Sequence, residues 1–141
     1  MKSKAVNFTG MDLLEPYSSS SFVLKDRWGV YVDRSDTDIM TGSKSEQSIL
    51  TFIKIGEFRI QIKADNGKFM CNENSIMKAT KTTPDETCVI RVYNVDGKLT
   101  IKTFTGLFMG NDGYYNMKAT RVFPWDHGEA GMFIIESPNS I

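Results

Sequence analysis

The chain has 141 residues, 40% hydrophobic and 24% charged, with 17 Lys plus Arg against 17 Asp plus Glu. That length predicts one domain, with a core that needs no metal or disulfide staple. A formal charge of zero argues against binding led by phosphate neutralisation, such as to nucleic acid, heparin-like polyanions or anionic membrane, and leaves a local basic patch open.

The first 21 residues carry Val6, Phe8, Met11, Leu13 and Leu14, then Pro16 and four serines. We read an edge strand or cap here, and a loop at Ser18 to Ser21. Two lysines without an apolar run do not make a secretory signal, and no stretch reaches transmembrane length. A cytoplasmic product is therefore expected, with the sequon Asn7-Phe8-Thr9 unused.

From Phe22 onward the apolar residues alternate: Phe22 and Leu24, Val30 and Val32, Phe58, Ile60 and Ile62, Leu99 and Ile101. Period two with β-branched and aromatic residues predicts half-buried strands. Turn chemistry separates them at Gly29, Gly42, Gly56, Asn66-Gly67, Asp96-Gly97, Gly106 and Asp112-Gly113. In the middle of the chain the predicted strands are about Phe58–Ala64, Lys68–Asn72, Ser75–Thr80 and Cys88–Tyr93. No segment sustains a helical period, so no long helix is predicted.

The chain repeats itself. Met77-Lys78-Ala79-Thr80 returns as Met117-Lys118-Ala119-Thr120, and Gly67-Lys68-Phe69-Met70 as Gly106-Leu107-Phe108-Met109. A looser copy lies upstream at Gly29-Val30-Tyr31-Val32 and Ile39-Met40-Thr41-Gly42. Leu24, Ile62 and Ile101 stand 38 and 39 residues apart. A fixed period of this size means one supersecondary unit used three times, over about residues 1–56, 57–96 and 97–141 of a single domain. Three copies of four short strands must share a core, and closing into a barrel removes their edges. The expected fold is all-β: a closed barrel with pseudo-threefold symmetry and hairpins capping one end. Recurrent Met40, Met77 and Met117, with Tyr31, Phe69 and Phe108, and Leu50, Ile90 and Phe133, are expected to build its core. Cys71 and Cys88 read as buried thiols, each in a strand, in a reducing compartment; an oxidised pair is the alternative.

This pattern resembles the β-trefoil, over about Phe22 to Glu136. The Gly-Lys-Phe-Met element, the Lys-Ala-Thr strand and the closing strands Ile49–Ile53, Val89–Tyr93 and Met132–Glu136 look like the fascin, hisactophilin and fibroblast-growth-factor branch. The Gln-any-Trp signature of ricin-type lectin repeats is absent.

Function is expected where the copies differ, on loops that the shared core does not dictate. The third copy has the longest last loop: Met117 to Phe133 spans 16 residues, against 13 from Met77 to Ile90 and 10 from Met40 to Leu50. Sugar binding needs an aromatic face for a pyranose and short polar side chains for its hydroxyls. Asp112, Tyr114, Asn116, Trp125, Asp126 and His127 supply both. Equivalent positions are Asn72, Glu73 and Asn74 in the second copy, and Asp33, Arg34, Asp36 and Asp38 in the first. Asp33 to Asp38 lacks the following Gly and the distant Glu of an EF-hand, so no metal is expected. No cofactor or catalytic motif is evident, and an enzyme is not expected. The resemblance implies a binding module, with a lectin leading, similar to fungal-type β-trefoil lectins. Its partners would be terminal sugars on glycoconjugates, held at up to three pockets, and such lectins are often homodimers. The alternatives are an actin- or other protein-binding module of the fascin and hisactophilin kind, and a protease inhibitor using the loop from Arg121 to Glu129.

Overall fold

The computed structural model describes residues 10–111 and 116–139. The described chain is all-β, with twelve strands. The first four are β1 (Val23–Lys25), β2 (Tyr31–Ser35), β3 (Asp38–Gly42) and β4 (Thr51–Lys54). Then come β5 (Arg59–Lys63), β6 (Phe69–Glu73), β7 (Ile76–Lys81) and β8 (Ile90–Val95). The last are β9 (Lys98–Thr103), β10 (Phe108–Asn111), β11 (Met117–Arg121) and β12 (Ile134–Glu136). The middle four match the sequence expectation to within two residues at each end.

The strands β5 to β11 close on themselves as a seven-stranded barrel, in the order β11-β10-β9-β8-β5-β6-β7 with β7 paired back to β11. Single bridges tie the remaining strands in. Phe22 pairs with Leu50 ahead of β1 and β4, and Leu99 of β9 pairs with Phe133 ahead of β12. The hairpins β2–β3, β6–β7 and β10–β11 each touch the other two, through Asp38 with Lys78, Lys118 with Ile76, and Met40 with Asn116. Hairpins β6–β7 and β10–β11 share a bulge at the same place, at Phe69/Met70 and Phe108/Met109.

Alternation explains the core. Ile60 and Ile62 of β5 and Leu99 and Ile101 of β9 are fully buried, with Leu24, Leu50, Ile90 and Phe133. They form one apolar cluster that also holds Met77 and Met117. The first copy departs from expectation. Tyr31 is only half buried, its hydroxyl donating to Glu136 at 2.7 Å. Met40 is also half buried, and Ile39 fills the core position instead. The hairpin turns align Ile39, not Met40, with Met77. One residue of slip along a strand exchanges its two faces.

Two further expectations change. Of the edge strand or cap expected near the start, residues 10–14 form no strand but a short helix, α1 (Gly10–Leu14), with Met11 and Leu14 buried. Gly10 makes that contact possible: a Cβ there would lie 2.6 Å from the Tyr93 backbone nitrogen of β8. The cysteines are not free thiols. Cys71 of β6 and Cys88 are disulfide-bonded, and Cys88 lies in a 3-10 turn, Glu86–Cys88, rather than a strand. Such bonds persist mainly in oxidising compartments, so the cysteines lend no support to a reducing one. Among the described residues no helix is long and apolar enough to cross a membrane.

Candidate functional site

The turn between β1 and β2 is built around Asp26. Its carboxylate accepts from the backbone N–H groups of Trp28 (2.9 Å) and Val30 (3.2 Å). Gly29 follows with φ +83°, a conformation that favours glycine. Asp26 is nearly fully buried, and its other oxygen accepts from Asn111 Nδ2 of β10 at 3.2 Å. A buried carboxylate bonded on both oxygens holds this turn against the far end of the chain. The turn displays Trp28, 55% exposed.

Beside Trp28 runs the last loop of the chain. It contains α2 (Asp126–Glu129), which is interrupted at His127 and Gly128, both in the left-handed region. Arg27 Nη1 donates to the Gly128 carbonyl at 3.0 Å and stands 4.0 Å from Glu129. Lys98 Nζ reaches the same Glu129 carboxylate at 3.4 Å. A Cβ at Gly128 would meet the Trp28 indole at 3.6 Å. An exposed indole, a guanidinium and the Glu129 carboxylate therefore meet at one edge of the molecule, next in the chain to the exposed His127. An indole offers an apolar face, and the charged groups offer donors and acceptors at its rim.

The predicted residues divide. His127 is exposed at this edge and Asp126 is half exposed, its Oδ2 accepting from the Phe123 N–H at 3.4 Å. Trp125 is not a platform. It is 6% exposed, stacked on Phe123 at 5.1 Å and clustered with Val95 and Met132. Its Nε1 is buried without a hydrogen-bond partner. Pro124 and Trp125 are both buried, whereas the exposed tryptophan of the chain is Trp28, which the sequence reading did not single out. The turn that carries Trp28 was legible: Asp26-Arg27-Trp28-Gly29 is an Asx-turn with a following glycine. Asn116 is half buried and bridges Met40. Asp112 and Tyr114 lie outside the described residues.

The equivalent positions in the other copies are occupied by structural work. Asn72 is 2% exposed, donating to Thr103 Oγ1 at 3.0 Å and accepting from the Ser75 N–H at 2.8 Å. Asn74 is an exposed turn residue with φ +56°. Glu73 is hydrogen-bonded to Thr80. In the first copy Asp33 accepts from the hydroxyls of Ser45 and Ser48, each at 3.1 Å, which anchors the turn before β4. Arg34 pairs with Asp65, Nη2 to Oδ2 at 2.9 Å, and its Nη1 donates to the Asp36 carbonyl. The Arg34 hydrogen bond holds the Asp65 carboxyl below its ordinary range and raises the guanidinium. Asp38 lies 3.8 Å from Lys78. Three equivalent open pockets are not what the described residues form. Among them no group of three potential metal ligands occurs.

No family model matches the chain, and no curated protein does. Solved structures do match, in 190 chains. One is a GlcNAcα1-4Gal-releasing endo-β-galactosidase from Clostridium perfringens, with a TM-score of 0.70 at 9% identity. The match covers 82% of this chain and 31% of the enzyme, so this chain corresponds to about a third of that protein. An identity this low establishes likeness of fold alone. The chain is an all-β protein with a closed barrel, similar in fold to part of a carbohydrate-active enzyme.

Proposed function

We propose that the chain is a β-trefoil carbohydrate-binding module, acting through recognition rather than catalysis. The trefoil reading is supported by the sequence period, by the three mutually bridged hairpins and by the two bulges at matching positions. The observation that carries the sugar reading is Trp28, an indole more than half exposed on a turn whose backbone Asp26 fixes, beside charged side chains. A pyranose stacks its C–H face on such a ring while its hydroxyls reach Arg27, His127 and Glu129. The turn is preorganised by three hydrogen bonds to one buried carboxylate, which lowers the ordering cost of binding. The endo-β-galactosidase acts on a galactose-containing glycan, which agrees with a saccharide partner without identifying one. The site proposed here is centred on Trp28, rather than on three related pockets.

A glycan array with the parent and Trp28→Ala tests this. Selective binding that disappears in the variant is the expected result. Binding unchanged in Trp28→Ala would move the site elsewhere, and a blank array would remove the proposal.

A further inference from the structure

Strand register creates a feature that net charge conceals. Arg59 of β5 stands directly opposite Arg91 of β8, and Arg91 opposite Lys102 of β9. Opposed residues in antiparallel strands share a face, so three cations form a row across three neighbouring strands. Like charges directly opposite each other destabilise a sheet. Arg59 and Arg91 are exposed, and among the described residues none of the three cations forms an ion pair. Lys102 is held in place by ring faces, its ammonium 5.6 Å from the Phe108 centroid and 6.0 Å from that of Tyr93.

A cavity of about 280 Å³ lies along this row, lined by all three cations, Glu86, Thr103 and Phe104 among others. Glu86 offsets one of the three charges. Phe104, 47% exposed, stands at the edge. Guanidinium groups match planar or tetrahedral oxyanions with paired donors, and an aromatic ring beside them suits a sugar ring carrying such a group.

We infer that the Arg59–Arg91–Lys102 row is a second binding site, for an acidic saccharide. Its sulfate or carboxylate is held by Arg91 between the two flanking cations, and its ring lies against Phe104. The sugar half of this inference rests on the glycan reading above; the oxyanion half rests on register and charge.

The test uses Arg59→Gln/Arg91→Gln and, separately, Phe104→Ala, with inorganic sulfate and a glycan array as probes. Sulfate in the low-millimolar range, against chloride at matched ionic strength, is too dilute to stabilise by general exclusion from the surface. A site-bound anion raises the melting temperature by mass action. The parent is expected to show that rise and the double variant to lose it. Sulfated or carboxylated glycans should bind the parent about tenfold more tightly than neutral counterparts, a preference lost in the double variant. Phe104→Ala should keep the sulfate response and weaken the acidic glycans. A sulfate response equal in parent and double variant, or absent from both, overturns the site. Neutral glycans bound through Trp28 with no acidic preference would overturn this inference and leave the first reading standing. A sulfate response confined to the parent with a blank array would support the anion site and remove its sugar.

Discussion

Reducing the bond between Cys71 and Cys88 gives the sharpest check on how the middle of this chain is held. The crosslink closes a loop with a sequence separation of 17. In the chain-entropy account such a loop restricts the unfolded ensemble by about 3 kcal/mol at 25 °C. The unfolding entropy of a chain of 141 residues converts that loss to a fall of about 10 °C in melting temperature. Urea unfolding with and without reductant measures it directly, with the midpoint moving down, and the reduced chain regains freedom only once unfolded. Thiol titration of the unfolded, unreduced protein should find no free cysteine. Two free thiols there, or a midpoint indifferent to reductant, would refute the reasoning.

The two tryptophans should part company. Trp28→Ala should leave the melting temperature within a few degrees, since the side chain is mostly exposed, while Trp125→Ala should cost about 3–5 kcal/mol in urea unfolding. Acrylamide should quench the Trp28 component of the fluorescence and spare the rest, and a bound saccharide should protect it. Gly10→Ala should destabilise the fold, because the added Cβ would press on the Tyr93 backbone at 2.6 Å; thermal unfolding measures it, and an unchanged midpoint would show that α1 can lift away. Stability should fall in acid. The carboxyls of Glu136 (hydrogen-bonded by Lys25, then Tyr31), Asp65 (by Arg34) and Asp85 are all held low, Asp85 to about 2 by Lys81 and Thr87. A depressed carboxyl contributes stability above its unfolded pKa of about 4, and loses it as pH falls through the folded value. Lys25 and Tyr31 are both raised by their hydrogen bonds to Glu136. Their contribution is complete below their unfolded values and fades as pH rises through the folded ones. Glu136→Gln should therefore flatten melting temperature against pH at both ends.

What the sequence determined by itself is what local chemistry encodes. Alternation at Ile60 and Ile62, turn residues at Asn66-Gly67 and Asp96-Gly97, and the recurrence of Lys-Ala-Thr carried the strands, the turns and the all-β closed barrel. Alternation and turn chemistry act between residues a few positions apart, so they survive without neighbours, and the repeat is read by comparing the sequence with itself. The tertiary structure decided which side chains were spent on structure and which stayed free. Trp125 and Trp28 are chemically the same, and their surroundings alone bury one and expose the other. Asn72 and Asp33 looked like sugar ligands because they are short and polar, yet each satisfies backbone or hydroxyl groups that burial would otherwise leave unpaired. Met40 and Ile39 exchanged places because one residue of register is one face of a strand. The row of Arg59, Arg91 and Lys102 exists only because β5 lies beside the β8–β9 hairpin, and a net charge of zero cannot report a charge that is balanced elsewhere on the surface.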